Sequence, residues 1–297
     1  MQINDWFRCL NCSGQELEIT SQTWTCKSCG WEYAIQEGIP VLVRDWKAHE
    51  GELAQAREVN PSWYAEEQFA EEASPWRHHM KKRRRYVEHM VRSHLASHGI
   101  ERADTLLDLG CGDGTHLNYL QKYAENLFGS DYNLVRLVRA EKRLPDLTGF
   151  LADILDYPVQ DAFFDIIFFN HVIEHIPADQ EALNEIFRVL KPGGLLVLGT
   201  PNEGSWWWQW AYRRSPHIRE TTDHINFYTA DSISAKMVKS GFKMLHTEHL
   251  GWGPPDFDLD ARIRHHKWVD DGFELIGRFI LPRQASSLYL TATKATL

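Results

Sequence analysis

A short stretch of the chain, Thr105-Leu-Leu-Asp-Leu-Gly-Cys-Gly-Asp-Gly-Thr115, leads from an apolar run through an acid to three glycines. The apolar run predicts a buried strand, and Gly110, Gly112 and Gly114 predict a turn at which a ligand touches the main chain. The spacing is G-x-G-x-G, whereas the turn that holds a dinucleotide pyrophosphate has G-x-G-x-x-G. The stretch therefore predicts a strand followed by a nucleotide-binding turn, and it argues against NAD.

The acid that precedes this turn, Asp108, favours a ligand with a positively charged end. S-adenosylmethionine (SAM) is such a ligand, because it carries an ammonium and a sulfonium group. Glycine-rich turns between a strand and a helix also bind other nucleotides. The turn therefore predicts SAM only in combination with residues further along the chain.

Beyond Ala103 the sequence alternates between strand and helix patterns. Strands are predicted at Thr105–Leu109, Asn126–Ser130, Gly149–Ala152, Phe164–Phe169, Leu195–Gly199, Lys243–His249 and Ser287–Thr293. Helices are predicted at Thr115–Tyr123, Leu134–Arg143, Gln180–Leu190 and Ala230–Ser240. This alternation predicts an α/β fold with a doubly wound, mainly parallel sheet, whose ligands bind beyond the carboxyl ends of the strands.

Polar residues occupy the ends of the predicted strands. Asp131 ends the second strand, 23 positions after Asp108, which is near the spacing at which an acid binds ribose hydroxyls. The pair Asp153-Ile154 follows the third strand and suits the edge and face of an adenine, and Asn170-His171 ends the fourth strand. A single acid at a strand end is as often a helix cap or a turn former. The combination predicts a nucleotide site.

Four of the five cysteines lie near the start of the chain, as Cys9-x2-Cys12 and Cys26-x2-Cys29. Two such pairs on facing hairpins place four thiolates around one metal ion, which predicts a zinc ribbon. Four protein ligands leave no open coordination position, so the zinc is expected to be structural. Two disulfide bonds are the alternative, which an oxidising compartment would favour.

Composition limits the classes of function. The chain has 297 residues, of which 43% are apolar, and this fits one large α/β domain with a small module. The first residues lack a basic segment followed by an apolar one, and no apolar run approaches the length of a membrane span. We therefore expect a soluble, cytoplasmic protein. A net charge of −9 argues against a protein that grips nucleic acid over its whole surface.

A basic run, Lys81–Arg85, is the local exception to this acidic balance. It lies in a polar, helical segment from about Trp46 to His98. Five consecutive positions wrap around a helix axis, so the run is expected to be a solvated surface rather than one binding stripe. A contact with a phosphate group or with RNA is the alternative.

Four segments resemble, in order along the chain, the motifs of the class I SAM-dependent methyltransferases. They are Leu107–Gly114, Phe128–Asp131, Phe164–His175 and Leu190–Val197, and the resemblance covers roughly Leu95 to Phe242. It implies a Rossmann-like sheet of seven strands, with SAM as the methyl donor. By the same resemblance, Lys191–Gly194 would be a turn before the fifth strand and mainly structural.

The resemblance also implies a role for each residue of the nucleotide site. The implied cofactor-binding residues are Asp108, Gly110, Cys111, Gly112, Asp131, Tyr132, Asp153, Ile154, Asn170 and His171. The glycine turn would hold the methionine part, Asp131 the ribose, and Asp153 with Ile154 the adenine. Asn170 and His171 would form the floor near the methyl group. Cys111 occupies a position that accepts many small residues, and it is assigned no reactivity.

These observations divide the sequence into three parts. A zinc ribbon is expected at 1–45, a helical connector that covers the cofactor at 46–98, and the methyltransferase domain at 99–297. Within that domain, insertions at about 202–228 and 251–285 are expected to form a lid over the acceptor and part of its pocket. The second insertion is longer than a hairpin between the last two strands requires.

A hydroxyl acceptor must lose its proton at or near attack, so its methylation requires a positioned base. Histidine suits this role at neutral pH. His224, in the loop after the fifth strand, is the preferred base, with Asp223 beside it, although a cap or a loop-filling role fits its position equally well. His171 is a second catalytic candidate, and His175 is expected to belong to the scaffold near the fourth strand.

Tryptophans crowd the segment Trp206–Arg214, where four of five consecutive residues are tryptophan. They cannot all be buried on one helix. The segment is expected either to close as a lid over a hydrophobic or glycan acceptor, or to meet a membrane that carries a lipid-linked acceptor. Packing against the connector helices is the third interpretation.

We therefore predict a SAM-dependent methyltransferase with a structural zinc ion, acting on a hydroxyl of a small-molecule, saccharide or lipid-linked acceptor. The first alternative is an RNA base methyltransferase that docks its substrate through the ribbon and the basic run. The second is a non-catalytic protein that binds SAM or uses the ribbon for assembly. Nucleic acid is the less favoured partner, and a peripheral contact with a membrane is a further expectation.

Overall fold

The computed structural model of the protein describes residues 3–59, 61, 73–217, 219, 223–254 and 257–295. The chain forms two compact units. The first comprises Met1–Gln68, Gly99–Phe168 and Asn184–Gly194. The second comprises Phe69–His98, Phe169–Leu183 and Leu195–Leu297.

The strands and helices alternate along the chain from residue 103 onward, as the sequence predicts. The strands are β1 (Leu17–Ile19), β2 (Thr23–Cys26), β3 (Glu32–Gln36), β4 (Ile39–Leu42), β5 (Ala103–Leu109), β6 (Ala124–Asp131), β7 (Leu147–Ala152), β8 (Phe164–Asn170), β9 (Leu190–Pro201), β10 (Phe242–Leu250) and β11 (Ser287–Lys294). The helices are α1 (Trp46–Val59), α2 (Arg77–Ser97), α3 (Leu117–Leu120), α4 (Leu134–Arg143), α5 (Asp179–Val189), α6 (Trp206–Arg214), α7 (Ala230–Lys239), α8 (Phe257–Arg264) and α9 (Lys267–Ile280).

The first unit contains a sheet in the order β1-β2-β3-β4-β7-β6-β5-β8. Strands β5, β6 and β7 are parallel to one another, which confirms the doubly wound core. Strands β1 to β4 form antiparallel hairpins, and β4 then pairs in parallel with β7, with Leu42 opposite Ala152. The cysteine-rich segment therefore ends in a strand of the parallel sheet.

Aromatic side chains join the cysteine-rich segment to this sheet. Trp6 is 2% exposed, and its ring lies 5.7 Å from that of Phe128 and 5.0 Å from that of Phe150. A buried tryptophan removes about 150–250 Å² from water, which corresponds to about 4–6 kcal/mol of transfer free energy at ~25 cal/mol per Å². The backbone of Phe7 also pairs with that of Val159. The ribbon is thus packed against the core that carries the glycine turn.

The second unit contains β9, β11 and β10 in that order, all antiparallel. Strands β10 and β11 lie where the sequence predicts the last two strands. Helix α2 buries Val87, Val91 and Leu95, which are spaced four residues apart and so share one face. Among the described residues, no helix is both long enough and apolar enough to cross a membrane.

The insertion between β10 and β11 folds into α8 and α9 and is held by buried charges. Arg264, which is 3% exposed, donates hydrogen bonds to Asp260 at 2.8 Å and to Asp270 at 3.3 Å. Lys82 of α2 lies 2.6 Å from the second oxygen of Asp270. The basic run is therefore committed in part to the protein's own acids, and the expectation that it is simply solvated is wrong for Lys82.

Two local predictions differ from the structure. The helix predicted at Thr115–Tyr123 is shortened to α3, followed by a 3-10 turn at Gln121–Tyr123, because Gly114 is still in the left-handed region at φ 73°. The turn predicted at Lys191–Gly194 instead lies within β9, and Gly193 takes up the bend at φ 79°. Lys191 is fixed there by Asp165, whose carboxylate oxygens lie 2.9 Å from its Nζ.

Candidate functional site

The glycine turn predicted between a strand and a helix lies between β5 and α3, and its backbone has the left-handed conformation that favours glycine. Gly110, Gly112 and Gly114 have φ values of 76°, 53° and 73°, a region that side chains with a Cβ rarely adopt. The amides of Gly110 and Cys111 donate to the carbonyl oxygen of Ser130 at 2.7 and 3.1 Å. The turn is therefore fastened to the carboxyl end of β6.

Asp131, the last residue of β6, fixes the other side of this turn. Its carboxylate oxygens accept hydrogen bonds from the amides of Gly112 and Asn133, each at 2.8 Å. Burial raises the pKa of Asp131, although these two amides act to lower it. A carboxylate accepts up to about four hydrogen bonds. The Tyr132 amide also acts on this one, so acceptor capacity remains for a ligand such as a ribose hydroxyl.

Asp108, at the end of β5, is a buried acid with an unsatisfied oxygen. The residue is 1% exposed, and its Oδ2 atom has no hydrogen-bond partner among the described residues. Burial and the negative charge of Asp131 raise the pKa of Asp108 well above its usual range. A buried acceptor without a partner indicates a missing donor. The ammonium group of SAM is a donor of the required charge, so these residues fit the predicted ligand.

Helix α1 lies against Tyr132, the residue that follows β6. The His49 ring, which is 4% exposed, is 3.9 Å from the Tyr132 ring, and its Nε2 lies 3.0 Å from the Tyr132 carbonyl oxygen. The Tyr132 hydroxyl donates to Glu52. Burial lowers the pKa of His49, although the charges of Glu52 and Asp153 raise it. The sequence did not predict the roles of His49 and Glu52, because it indicated only that this segment is polar and helical.

Asp153 and Cys111, also in the first unit, have local structural contacts. Asp153 accepts a hydrogen bond from the Leu155 amide at 2.9 Å, which caps the short turn Ile154–Asp156. Cys111 is 2% exposed, and burial raises the pKa of its thiol well above the usual value, so the thiol stays protonated. A Cβ on Gly129 would lie 3.1 Å from the Cys111 sulfur. Cys111 therefore fills space beneath the turn.

Asn170 and His171 belong to the second unit, unlike the other predicted cofactor residues. His171 has φ 55°, a left-handed conformation that costs about 1–3 kcal/mol in residues with a Cβ and is concentrated at functional sites. Its amide donates to the Gly199 carbonyl oxygen at 2.8 Å. A Cβ on Gly199 would lie 2.1 Å from Asn170 Oδ1, so the glycine makes room for this side chain.

His171 orients a buried acid, Glu174, which is 1% exposed. His171 Nδ1 lies 3.1 Å from Glu174 Oε1, and the Thr200 hydroxyl donates to the other oxygen at 3.2 Å. Burial acts to raise the pKa of Glu174, but the hydrogen bond and charge of His171 outweigh it and lower the pKa. His171 Nε2 is buried and makes no hydrogen bond to any residue that the structure describes.

The backbone of Glu174 holds the loop that carries His224. The amides of Ile225 and Asn226 donate to the Glu174 carbonyl oxygen at 2.8 and 2.9 Å. The ring of His224 lies 5.0 Å from that of His175. Burial lowers the pKa of His224 below its usual 6.5, so the imidazole is neutral near pH 7, as a general base requires.

Two acids lie near the two histidines, Asp223 and Glu203. The Asp223 carboxylate lies 3.7 Å from Nδ1 of His175, and its carbonyl oxygen lies 3.1 Å from the same atom. The charge of Asp223 also acts on His224, where it opposes the larger effect of burial on the pKa. Glu203, 6% exposed, has a carboxylate oxygen 3.9 Å from His224 Nδ1. Glu203 follows the fifth strand of the predicted core, so the strand-end argument applied to Asp131 would have found it.

Three side chains of this cluster also meet the distance condition for a cation site. Glu174, His175 and His224 each offer one ligand atom, and these atoms lie within 4.8 Å of one another. Two imidazoles and a carboxylate form a ligand set that binds zinc and other divalent transition metals.

A cavity of about 350 Å³ lies near this cluster and is lined by Gln209, Tyr212, Arg213, Pro216 and Arg219. The Tyr212 hydroxyl donates to Glu203. The guanidinium carbon of Arg219 lies 4.1 Å from the centre of the Phe227 ring. The tryptophan-rich segment forms helix α6, and Trp206 and Trp210 are each 51% exposed.

The four cysteines at the start of the chain form one cluster. The sulfur atoms of Cys9 and Cys29 are 3.8 Å apart, and those of Cys12 and Cys26 are 3.6 Å apart. A tetrahedron with Zn–S bonds of about 2.3 Å has edges of about 3.8 Å. None of the four cysteines forms a disulfide. The cluster therefore fits a closed tetrahedral metal site.

The pKa values of the clustered cysteines also indicate a site that a cation would stabilise. The hydrogen bond from the Asn11 side chain lowers the pKa of Cys29 to about 6. The Gly14 amide lowers the pKa of Cys12, but neighbouring thiols and desolvation raise it further, to about 12. Crowded thiolates repel one another, and a divalent ion removes that repulsion. Tyr33 supports the cluster from beneath, because its hydroxyl donates to the Cys9 sulfur at 3.4 Å.

Comparison with known proteins identifies a family. The model of a family described as a methyltransferase domain matches residues 76–247. A protein of Mycolicibacterium smegmatis named as an S-adenosylmethionine-dependent methyltransferase is 31% identical over 160 residues, which are 53% of this chain and 59% of that protein. The chain spans between half and two thirds of the length of the mycobacterial relatives it matches.

Solved structures share the fold. One is a chain of the complex between the Haloferax volcanii Trm112 methyltransferase activator and a methyltransferase, with a TM-score of 0.53, 18% identity, and coverage of 81% of this chain and 98% of that chain. Another is the cyclase SpnF, with a TM-score of 0.53, 18% identity, and coverage of 87% and 99%. At these identities the likeness concerns the fold alone, and it confirms the predicted α/β class.

Proposed function

This chain belongs to the methyltransferase-domain family, as its motifs predict, and we propose that it methylates a hydroxyl of a small-molecule, saccharide or lipid-linked acceptor with SAM as donor. One observation carries the donor assignment: the Asp131 carboxylate binds the Gly112 amide of the glycine turn, and the Oδ2 of the nearby buried Asp108 lacks a partner among the described residues. This arrangement suits a ligand with a ribose and a cationic end.

The residues of the first unit would bind and orient the donor. Asp108 would accept a hydrogen bond from the ammonium group, and Asp131 would accept hydrogen bonds from the ribose hydroxyls. Tyr132, covered by α1, and Asp153 with Ile154 would enclose the adenine. SAM supplies a methyl group already activated by its sulfonium, so the protein's main contribution is alignment.

His224 would supply the base. Its pKa is lowered by burial, so at neutral pH it accepts a proton rather than carries one. The carboxylate of Glu203, 3.9 Å from Nδ1, would stabilise the imidazolium that results. His171 would act as a positioning residue, because its Nδ1 is engaged by the buried Glu174.

The donor assignment is tested by calorimetry with SAM. Asp131→Ala should weaken binding strongly, and an unchanged affinity would contradict the assignment. The acceptor is sought by incubating the protein and radiolabelled SAM with a cell extract, which is then separated into nucleic-acid, lipid and small-molecule fractions. Label in the small-molecule or lipid fraction supports the proposal, whereas label in RNA would replace it with the RNA alternative.

A divalent cation held by Glu174, His175 and His224 is the second candidate role of this cluster, and the 4.8 Å grouping of their ligand atoms favours it. In that role the ion would bind the acceptor oxygen and lower its pKa. The two roles differ in their requirements. A base needs only His224, whereas a cation site needs all three residues, so His175→Asn together with a chelator titration of turnover distinguishes them.

The remaining assignments are proposals as well. A structural zinc ion at Cys9, Cys12, Cys26 and Cys29 is supported by the sulfur spacings. The division into ribbon, helical cover and methyltransferase domain and the cytoplasmic location rest on the sequence. The RNA alternative loses support from the basic run, because Lys82 is paired with Asp270.

A further inference from the structure

The cavity beside α6 carries an excess of positive charge. Arg213 and Arg219 both line it, together with the Gln209 amide and the Tyr212 ring. Neither guanidinium forms an ion pair with any carboxylate in the part of the chain that the structure describes. The cavity is open to solvent, because Gln209, Arg213, Pro216 and Arg219 are all exposed.

Two aromatic rings fix the position of the Arg219 side chain. Its guanidinium carbon lies 4.1 Å from the centre of the Phe227 ring and 5.5 Å from that of Tyr212. A cation above a ring is stabilised through the face of the guanidinium, so the N–H groups in its plane stay available. A planar fork of this kind matches the oxygens of a carboxylate or a phosphate.

The cavity is connected to the candidate base by hydrogen bonds. The Tyr212 hydroxyl donates to one oxygen of Glu203, and the other oxygen lies 3.9 Å from His224 Nδ1. Gln209 also donates from its side chain to the Glu203 carbonyl oxygen at 2.7 Å. Burial raises the pKa of Glu203, and the charge of Arg219 acts to lower it, so these two groups interact. Arg213 and Arg219 are the charged residues that line the cavity itself.

We propose that the methyl acceptor is an anion, whose phosphate or carboxylate group binds Arg219 and Arg213 in this cavity while its hydroxyl lies at His224. The inference rests on the proposed function and narrows its substrate class. It also gives the tryptophan-rich helix a role, since α6 supplies three of the residues that line the cavity: Gln209, Tyr212 and Arg213.

The test measures binding of simple anions to the full-length protein. Inorganic phosphate is titrated, and its binding is followed by the line width of its phosphorus NMR signal. Benzoate is titrated separately, and its binding is followed by saturation-transfer NMR. Chloride keeps the ionic strength constant in both titrations. Saturable binding of phosphate assigns a phosphorylated acceptor, and saturable binding of benzoate alone assigns a carboxylate. Failure of both anions to bind saturably overturns the proposal.

Variants identify the site. Arg219→Gln should lower the affinity for the anion at least tenfold. Arg213→Gln, which changes the second arginine that lines the cavity, should also lower it. Arg214→Gln is the matched control, because Arg214 lies on the same helix but stacks on Trp210 at 5.3 Å and does not line the cavity. Equal affinities in the Arg219 and Arg214 variants would contradict the assignment.

SAM calorimetry on the same samples separates this inference from the proposed function. If SAM binds but neither anion does, the anionic acceptor is wrong and the methyl donor stands. If SAM does not bind, the proposed function fails whatever the anions do. The Arg219 variant should bind SAM as the parent does, because Arg219 is proposed to contact only the acceptor.

Discussion

Replacing Asp108 with asparagine should move stability and SAM affinity in opposite directions. The residue is 1% exposed, and its Oδ2 atom has no hydrogen-bond partner among the described residues. Burial and the charge of Asp131 raise the pKa of this carboxyl. Without ligand, the ionised carboxylate therefore destabilises the fold. With SAM, the same charge would be compensated by the ammonium group.

The gain in stability depends on pH. Because the folded pKa of Asp108 is raised, the stabilising contribution of this carboxyl is fully present below its usual value of 3.8 and is lost as the pH rises through the folded value. Asparagine does not titrate, so the advantage of the variant grows over that interval and then levels off. An unsatisfied buried polar group costs about 1–3 kcal/mol, and more when it is charged. The neutral amide of asparagine also lacks a partner, so the gain is the difference between the two costs, about 1 kcal/mol at mildly alkaline pH.

The loss of affinity follows from the same geometry. A hydrogen bond to a charged partner contributes about 1.5–3 kcal/mol, so SAM should bind the variant roughly 10- to 150-fold more weakly. Methylthioadenosine keeps the adenine and ribose but lacks the amino-acid part, so its affinity should change little. Calorimetry measures both affinities, and urea unfolding without ligand over a range of pH measures the free energy of unfolding.

Asp146→Asn is the matched control for this experiment. Asp146 is exposed in the loop between α4 and β7, and its replacement should leave stability and both affinities unchanged. Two results would contradict this role of Asp108. One is a loss of stability in the ligand-free variant, which would mean that the carboxylate has a structural partner. The other is an equal loss of affinity for SAM and methylthioadenosine, which would move Asp108 away from the ammonium.

Three further predictions concern other parts of the chain. Arg264→Met should reduce the free energy of unfolding in urea by about 3–5 kcal/mol, because it leaves buried carboxylates uncompensated, whereas the exposed Arg262→Met on the same helix should change it by less than about 0.5 kcal/mol. Cys26→Ser should abolish a zinc content of one ion per chain in elemental analysis and lower the thermal midpoint, because metal binding supplies the folding energy of the ribbon; an unchanged zinc content would contradict the site. His224→Gln should lower kcat by about 100- to 10,000-fold. Since burial lowers the pKa of His224, the parent rate should fall only below pH 6.5, and an acidic limb retained in the variant would exclude His224 as its source.

The sequence predicts the core strands well because each carries its own signal. Strands such as β8 are continuous apolar runs, which are buried on both faces and therefore bounded by their first polar residues. The pairing of β4 with β7 had no such signal, because Ile39–Leu42 reads as an apolar run without a specified partner. Parallel pairing depends on residues distant in sequence, which period and spacing do not encode.

The candidate site also contains residues that the sequence predicts and contacts that it does not predict. The glycine turn and Asp131 are adjacent to strand ends and could be predicted, because the fold class fixes where strand ends lie. The contacts of Asp223 and Glu203 with the two histidines depend on the loop after β9. Side chains in a loop do not alternate in direction with a fixed period, so the sequence pattern does not predict these contacts. The pairing of Lys82 with Asp270 likewise joins distant helices, so composition alone suggested a solvated run.

The β4–β7 pairing gives the ribbon a consequence for the cofactor site. Leu42 pairs with Ala152, the residue directly before Asp153, and β7 pairs in turn with β6, which ends at Asp131. A zinc ion at the four cysteines would stabilise a segment that is too small to fold alone. That segment supplies β4, which pairs with β7 directly before Asp153, the residue proposed to bind the adenine. If zinc raised the affinity for SAM by ordering β7, SAM would raise the affinity for zinc by the same factor, because coupling between two ligands of one folded unit is reciprocal. A zinc ion at the four cysteines would then change the affinity for SAM, although it would take no part in methyl transfer.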